Sequence, residues 1–291
     1  MQIRDVSSEN MENRLDRRWV QEIIPNHSST PSSIRKIGVI SISRGGGATT
    51  IAYAIAEYLA NKRKKERKQT ERKKGLCDVS LIEVSGRSDF VGYSYDKVGI
   101  EQRFINREFI SFTKLVKEGK PINGLYNVSG GINWVLKMPG DEVLKTAESI
   151  CLIENVESTI KVCDIVPFRG DSELGVKMEG LKSILACMNI IICIIDPLPS
   201  RLLAGIPVFE LVKMLETNGA TVIYVINKMN KGVNIREVKK FLGIKDFYFI
   251  SHLSGEVVYS AEFECRSIIS DKGLFNEIEN ILHLIGMEES D

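Results

Sequence analysis

The sequence lacks the features that would indicate a membrane span, a disulfide-bonded fold or a zinc site. Its longest aliphatic run, Ile190 to Ile195, is interrupted by Cys193 and is far shorter than the roughly 20 residues that span a bilayer. The six cysteines form no Cys-x-x-Cys pair, which excludes the usual zinc and disulfide patterns. The three histidines lie far apart and accompany no nucleophile motif. A hydrolase triad therefore has no support.

Charge of one sign is also missing from the chain as a whole. The 39 Lys and Arg residues nearly balance the 38 Asp and Glu residues, and 43% of the chain is hydrophobic. This balance is typical of a soluble globular protein and argues against disorder or a bulk polyanion binder. The first residues carry charges and lack the apolar core of a secretion signal, so we expect a cytoplasmic protein.

The domain organisation follows from a change in composition near residue 34. Residues 1–34 are polar and end in a Ser- and Pro-rich stretch, which predicts a weakly folding arm. No linker-like break follows, so we expect residues 35–291 to form one domain.

Short aliphatic runs alternate with helical patterns through this domain. Continuous β-branched runs predict strands buried on both faces, and the stretches between them repeat every three or four residues. The predicted fold class is α/β, a doubly wound, mostly parallel sheet with helices on both faces. The strand-like runs are Ile37 to Ile42, Ser80 to Val84, Ile132 to Leu136, Ile160 to Val166, Ile190 to Ile195, Thr221 to Ile226 and Phe247 to Ile250.

A glycine-rich turn follows the first of these strands. Gly45, Gly46 and Gly47 precede Ala48 and the threonines at 49 and 50, which open a helical run. Glycines let a backbone approach an anion closely, and the N–H groups at a helix start provide positive potential. The turn therefore predicts a phosphate site, although a tight turn that binds nothing is the alternative.

The segment Ser43-Arg44-Gly45-Gly46-Gly47-Ala48-Thr49-Thr50 resembles the deviant Walker A motif of the ParA/MinD branch of P-loop ATPases, Lys-Gly-Gly-x-Gly-Lys-Thr-Thr. The resemblance implies the P-loop fold and binding of ATP or ADP with Mg²⁺. Thr49 corresponds to the family's Mg²⁺ ligand. The implied nucleotide-binding residues in this turn are Arg44, Gly45, Gly46, Gly47, Ala48, Thr49 and Thr50.

The turn departs from the family motif at its two lysines. Ala48 replaces the lysine that neutralises the phosphates, and Ser43 replaces the signature lysine that reaches the partner's nucleotide. Arg44 lies one position away and would hold an anion by a planar fork rather than a point charge. These departures imply at most a weak ATPase.

Three further polar residues match family positions at strand ends, where ligands bind in this architecture. Glu83 retains one of two family carboxylates, whereas Ser85 lacks the other. Asp164 corresponds to the switch aspartate near the metal, and Asn227 to the residue that reads the adenine edge. The resemblance thus implies Glu83 and Asp164 as catalytic residues and Thr49 and Asp164 at Mg²⁺. Each could instead be a cap, an ion-pair partner or a loop residue.

The combined prediction is a degenerate ParA/MinD-like positioning or regulatory factor with slow or no ATP hydrolysis. The N-terminal extension and altered loop resemble the TadZ/CpaE proteins, which localise pilus and secretion assembly machinery. The alternatives are an active partitioning ATPase on DNA or membrane, a scaffold without ligand, and an NAD(P)-binding Rossmann enzyme. The last is disfavoured because Thr50 stands where Gly-x-Gly-x-x-Gly requires its third glycine.

Two surfaces are candidates for partners. Lys62 to Lys74 contains nine basic residues against two acidic ones and could meet anionic membrane or DNA. No aromatic residue is interleaved to stack on bases, so a solvated helix end and loop is the simpler interpretation. The resemblance implies a homodimer. We expect Asp196 to Arg201 and a helix from about 204 to 217 to form its surface.

Overall fold

Eight strands form one sheet in the part of the chain that the structure describes. The structure, a computed structural model, describes residues 35–69, 77–85, 104, 108–138, 140–166, 174–262, 264 and 266–283. The predicted polar arm and residues 70–74 of the basic stretch lie outside these ranges. The strands are β1 (Arg35–Ser41), β2 (Val79–Ser85), β3 (Val128–Ser129), β4 (Ile132–Val135), β5 (Ile160–Val166), β6 (Ile190–Ile195), β7 (Thr221–Met229) and β8 (Tyr248–Ser251).

The order across the sheet is β3-β4-β2-β5-β1-β6-β7-β8. All neighbours are parallel except β3 and β4, which form an antiparallel pair. The chain winds from β1 towards β2 on one side and later towards β6, β7 and β8 on the other. The carboxyl end of β1 therefore lies at the position where the winding direction changes, which is where open α/β sheets bind ligands.

Alternate residues of the central strands enter two hydrophobic clusters on opposite faces of the sheet. In β6, Ile190, Ile192 and Ile194 pack in one cluster, whereas Ile191 and Cys193 pack in the other. Both faces are thus covered, which explains why this strand has no polar alternation. The mostly parallel sheet with helices on both faces confirms the predicted fold class.

Eight α-helices are described. They are α1 (Ala48–Gln69), α2 (Phe112–Lys117), α3 (Thr146–Asn155), α4 (Leu174–Ala186), α5 (Pro199–Thr217), α6 (Ile235–Leu242), α7 (Gly255–Glu262) and α8 (Lys272–His283). Residues of α1 and α8 belong to the first cluster, and residues of α3, α4 and α5 to the second. In the described ranges, no helix is both long and apolar enough to cross a bilayer.

The predicted start of α5 near residue 204 is wrong. The helix begins at Pro199, which occupies the first helical position, where a missing N–H costs nothing and the fixed φ is already helical. Pro207 lies inside the same helix. The carbonyl four residues earlier belongs to Leu203, whose side chain is exposed, so water can satisfy the acceptor that Pro207 cannot.

Candidate functional site

The glycine turn joins the buried end of β1 to the first turn of α1. Gly45 has a φ of 70° and Gly47 a φ of 95°, values that a residue with a Cβ rarely adopts. Gly46 is required for a different reason, because a Cβ there would collide with the Ser41 hydroxyl. A Cβ on Gly47 would likewise collide with Asn227 Nδ2. The three glycines are therefore demanded by this loop and by its neighbours.

The start of the loop is tied to the next strand. Ile42 N–H donates to the Ile194 carbonyl at 3.0 Å, and the Ser41 hydroxyl donates to the Ser43 carbonyl at 2.8 Å. Ser43, which stands at the family's signature-lysine position, is buried, whereas the neighbouring Arg44 is exposed. Of these two neighbouring residues, Arg44 is therefore the one whose side chain reaches solvent.

At the start of α1, Thr49 contacts Asp164 from the middle of the sheet. The Thr49 hydroxyl donates to Asp164 Oδ2 at 2.7 Å. Asp164 is 2% exposed, and burial raises the pKa of its carboxyl to about 6, against a smaller lowering by the Thr49 hydrogen bond. The second carboxyl oxygen, Oδ1, is buried and has no hydrogen-bond partner. Buried polar atoms are normally satisfied, so an orphaned oxygen indicates that something else pairs with it.

The Thr49–Asp164 pair has the chemistry that Mg²⁺ requires. Mg²⁺ prefers oxygen ligands, usually takes one or two from the protein, and completes its shell with water and phosphate oxygens. The hydroxyl of Thr49 and the orphaned oxygen of Asp164 meet that description. No group of three or more His, Cys, Asp or Glu side chains that could hold a metal occurs among the described residues. The two oxygens of Thr49 and Asp164 therefore fit a Mg²⁺ ion that takes few of its ligands from the protein.

Glu83 lies on β2, in register with Asp164 on the adjacent β5. Its carboxylate is 7% exposed and accepts a hydrogen bond from the Lys137 N–H at 3.2 Å. This contact ties the end of β2 to the segment after β4. The structure therefore places the two predicted carboxylates on adjacent strands, with Asp164 bonded to the loop helix and Glu83 bonded to backbone on the other side.

Asn227 and Lys228, at the end of β7, both contact the glycine loop. Asn227 Nδ2 donates to the Gly46 carbonyl at 2.7 Å, and its Oδ1 accepts from Lys228 N–H at 2.8 Å. Lys228 Nζ donates to the Gly45 carbonyl at 2.6 Å and to Asp196 Oδ2 at 2.8 Å. The amide of Asn227 is thus directed at the glycine loop. The sequence patterns did not predict that Lys228 and Asp196 would lie at this site.

A cavity of about 660 Å³ lies at the ends of β6, β7 and β8, and its wall includes Lys228, which contacts the glycine loop. Its volume is in the range of small-molecule sites. Apolar side chains dominate the wall, with a few amide, carboxylate and imidazole groups between them. The lining residues are Asp196, Pro197, Leu198, Pro199, Leu202, Leu203, Lys228, Asn230, Gly232, Val233, Asn234, Glu237, Val238, Phe241 and His252.

Solved structures of ParA and MinD proteins share this fold. A ParA family ATPase from Chlorobium tepidum is 12% identical with a TM-score of 0.60, over 85% of this chain and 98% of that one. The ATP complex of a McdA variant from Cyanothece is 14% identical with a TM-score of 0.60, over 89% and 99%. MinD in the MinC:MinD complex of Aquifex aeolicus is 12% identical with a TM-score of 0.59, over 88% and 98%.

No protein-family model and no curated protein sequence matches the chain. At these identities the similarity to solved structures establishes the fold alone. The predicted P-loop architecture is therefore confirmed, whereas the site chemistry has to be argued from the residues themselves.

Proposed function

We propose that this chain binds ATP or ADP with Mg²⁺ at residues 44–50 and acts as a ParA/MinD-like positioning or regulatory factor with slow or no hydrolysis. The observation that carries the proposal is the Thr49–Asp164 pair, with its orphaned carboxyl oxygen, beside a loop that only glycines can form. The Thr49–Asp164 pair would bind the metal and the glycine loop would bind the phosphates. A nucleotide with Mg²⁺ brings both to the site together.

The loop and α1 would hold the phosphates through backbone groups. The first turn of α1 carries no acidic residue of its own, which preserves the positive potential that a helix N-terminus offers to phosphate. Thr49 and Asp164 would hold Mg²⁺, which supplies charge neutralisation of the phosphates when bound. The adjacent cavity of about 660 Å³ would accept the nucleoside. The ATP complex of a McdA variant, which has the same fold, supports nucleotide binding.

Slow turnover follows from Ala48. The side chain at this position is apolar and only 9% exposed, so it places no cation on the transferring phosphate. One such electrostatic contact typically contributes about 3 to 4 kcal/mol to the transition state. A nucleotide-dependent switch or scaffold needs binding and not fast chemistry, and the TadZ/CpaE resemblance favours a role in positioning pilus or secretion machinery.

Thermal unfolding with ATP, ADP and NAD⁺, each with Mg²⁺, tests the proposal. A ligand at 100 times its Kd adds about 2.7 kcal/mol of stability. We expect ATP and ADP to raise the Tm and NAD⁺ to have no effect. A response to NAD⁺ alone would favour the dinucleotide enzyme, and no response to any of the three at millimolar concentration would favour the scaffold without ligand.

The second candidate is a partitioning ATPase that acts on DNA or an anionic membrane. It is favoured by the basic stretch, because α1 runs from the glycine loop through Lys64 and Lys65, which are exposed, to Gln69. Arg63 is partly neutralised by Glu66 at 3.0 Å. Co-sedimentation with vesicles of anionic or neutral lipid, and gel shift with duplex DNA, test this surface. Binding lost in Lys64→Glu/Lys65→Glu would support it.

The proposed homodimer has a candidate surface at the start of α5. Leu198 is 56% exposed and Leu203 is 60% exposed, and exposed apolar side chains that lie together favour protein contact. Light scattering of Leu203→Glu against wild type tests this surface. A dimer that persists unchanged in the variant would exclude it.

A further inference from the structure

Lys228 connects three separate segments at the edge of the proposed nucleotide site. Its ammonium donates to the Gly45 carbonyl of the glycine loop and to Asp196 at the end of β6, while its own backbone ends β7. Asp196 is 1% exposed, and its other oxygen accepts from Leu198 N–H at 3.2 Å. The carboxylate is thus fixed in place, and Lys228 is fixed by it against the loop.

The backbone of Lys228 is held in an unfavourable conformation. Among the described residues it is the only one other than glycine with a positive φ, at 60°. This conformation is unfavourable for an L-residue, so the contacts around it must outweigh its cost. Such strain persists where the surroundings determine it, often at functional sites. Here those contacts are the Asn227 side chain on the Lys228 N–H and the two acceptors of Nζ.

These contacts set the orientation of the loop's peptide groups. The described chain contains no cis peptide bond, and in a trans peptide the C=O and N–H point in opposite directions. Asn227 holds the Gly46 carbonyl against β7, so the N–H of Gly47 points away from β7. Lys228 holds the preceding Gly45 carbonyl, and the N–H of that same peptide, on Gly46, donates within the loop to the Ser43 carbonyl at 3.3 Å. Two carbonyl oxygens are therefore bound by side chains of β7 and do not face an approaching anion, and Lys228 fixes the turn that precedes the outward N–H of Gly47.

The charges of Asp196 and Lys228 also favour anion binding at the loop. Asp196 is a buried carboxylate close to a loop that is meant to receive phosphate, and without a cation beside it the carboxylate would repel that anion. Lys228 Nζ lies 2.8 Å from Asp196 Oδ2 and compensates it. Asp196 is buried whereas the Lys228 side chain is 36% exposed, so removing the ammonium alone would leave an uncompensated buried carboxylate, which is worse than removing both charges.

We propose that Lys228, anchored by Asp196, is a positioning residue that keeps the glycine loop in its anion-binding conformation. The loop has no lysine of its own at Ala48, and its geometry depends instead on a lysine from β7 that binds the loop's carbonyl side. This inference rests on the proposed nucleotide site for its consequence in binding, but its effect on the loop exists without any ligand.

Hydrogen exchange of amides 43–51 in the ligand-free protein tests the inference directly. Lys228→Met keeps the aliphatic stem and removes the ammonium, and Lys231→Met, an exposed lysine on the same connection, is the matched control. We expect faster exchange of the loop amides in Lys228→Met only. The double variant Asp196→Asn/Lys228→Met leaves no buried charge and should show the same acceleration, so a folding defect cannot account for it.

Calorimetry with Mg²⁺-ATP, inorganic tripolyphosphate and adenosine tests the consequence. Lys228 also lines the cavity, and a role as cavity wall would weaken adenosine. A role on the loop should weaken ATP and tripolyphosphate by roughly 10- to 100-fold, as when other orienting groups are removed, and leave adenosine unchanged. Exchange and phosphate affinity equal to those of Lys231→Met would overturn the inference. A wild-type protein that binds no phosphate compound would refute the proposed function, while the exchange experiment would still decide on Lys228.

Discussion

Asp164 allows a test of the site that needs no ligand. Its carboxyl has a pKa raised from 3.8 to about 6 because burial disfavours the charged form. The folded protein therefore keeps this proton at pH values where the unfolded chain has lost it. A group with a raised folded-state pKa contributes its stability fully below the unfolded pKa, here 3.8, and loses it as pH rises through about 6.

The perturbation is Asp164→Asn, which removes the titration and keeps the size and an acceptor for Thr49. As the pH falls from 8 to 5, protonation of this carboxyl raises the free energy of unfolding of wild type by about 1.4 kcal/mol, which is the equivalent of one pKa unit. The variant gains none. Any fixed cost of burying the amide is the same at both pH values and cancels when the pH dependence is compared.

Urea unfolding at pH 5 and pH 8 measures this difference. We expect wild type to gain about 1.4 kcal/mol relative to Asp164→Asn as pH falls from 8 to 5, which corresponds to about 3 to 6 °C in Tm for a domain of this size. Asp246→Asn, at an exposed carboxylate, should follow wild type. Parallel pH dependence of wild type and Asp164→Asn would refute the claim that a buried carboxyl with a raised pKa lies in this site.

Three other outcomes are expected around the loop. Thr49→Val should move the pH midpoint of Asp164 upward, because the Thr49 hydrogen bond lowers that pKa, and should remove the Mg²⁺ dependence of ATP binding in titrations with and without EDTA. Phosphate release from ATP should stay near background in wild type, and a rate of about 1 s⁻¹ or more, as in ordinary enzymes, would contradict this. The variant Ala48→Lys tests whether a cation at this position restores turnover. Light scattering should find a homodimer whose formation depends weakly on ATP. A strict monomer under all conditions would exclude this homodimer. A dimer that forms only with ATP and disappears in Arg44→Ala would assign the bridging role to Arg44.

The sequence predicted the layers of the fold because its strands are buried on both faces. All seven aliphatic runs coincide with strands, because a continuous β-branched run is typical of a strand that is buried on both faces. The pair Val128–Ser129, β3, was missed because two residues carry no pattern. The start of α5 was misplaced because Pro199 was assigned to the segment from Asp196 to Arg201 that precedes the expected helix, although a proline is compatible with the first helical position.

The site was predictable in part. The contact of Thr49 with Asp164 joins residues that are 115 positions apart, and the resemblance had assigned both to the metal. Lys228 contacts Gly45 across 183 positions. The one signal in the local sequence is its place directly after Asn227 at the end of a strand, and that place does not indicate that the side chain returns to the loop until the tertiary neighbours are known. The polar arm of residues 1–34 stays a prediction.

Calorimetric titration of Mg²⁺-ATP into Gly47→Ala and Gly219→Ala tests the central claim most directly. The two glycines have nearly the same φ, 95° and 96°, so both variants bear a similar backbone strain. A Cβ on Gly47 collides with Asn227 Nδ2, whereas a Cβ on Gly219 meets nothing within 4 Å. We predict that Gly219→Ala binds Mg²⁺-ATP as wild type does and that Gly47→Ala does not bind it. Equal affinity in the two variants, or no heat in wild type, would contradict a nucleotide site at this loop.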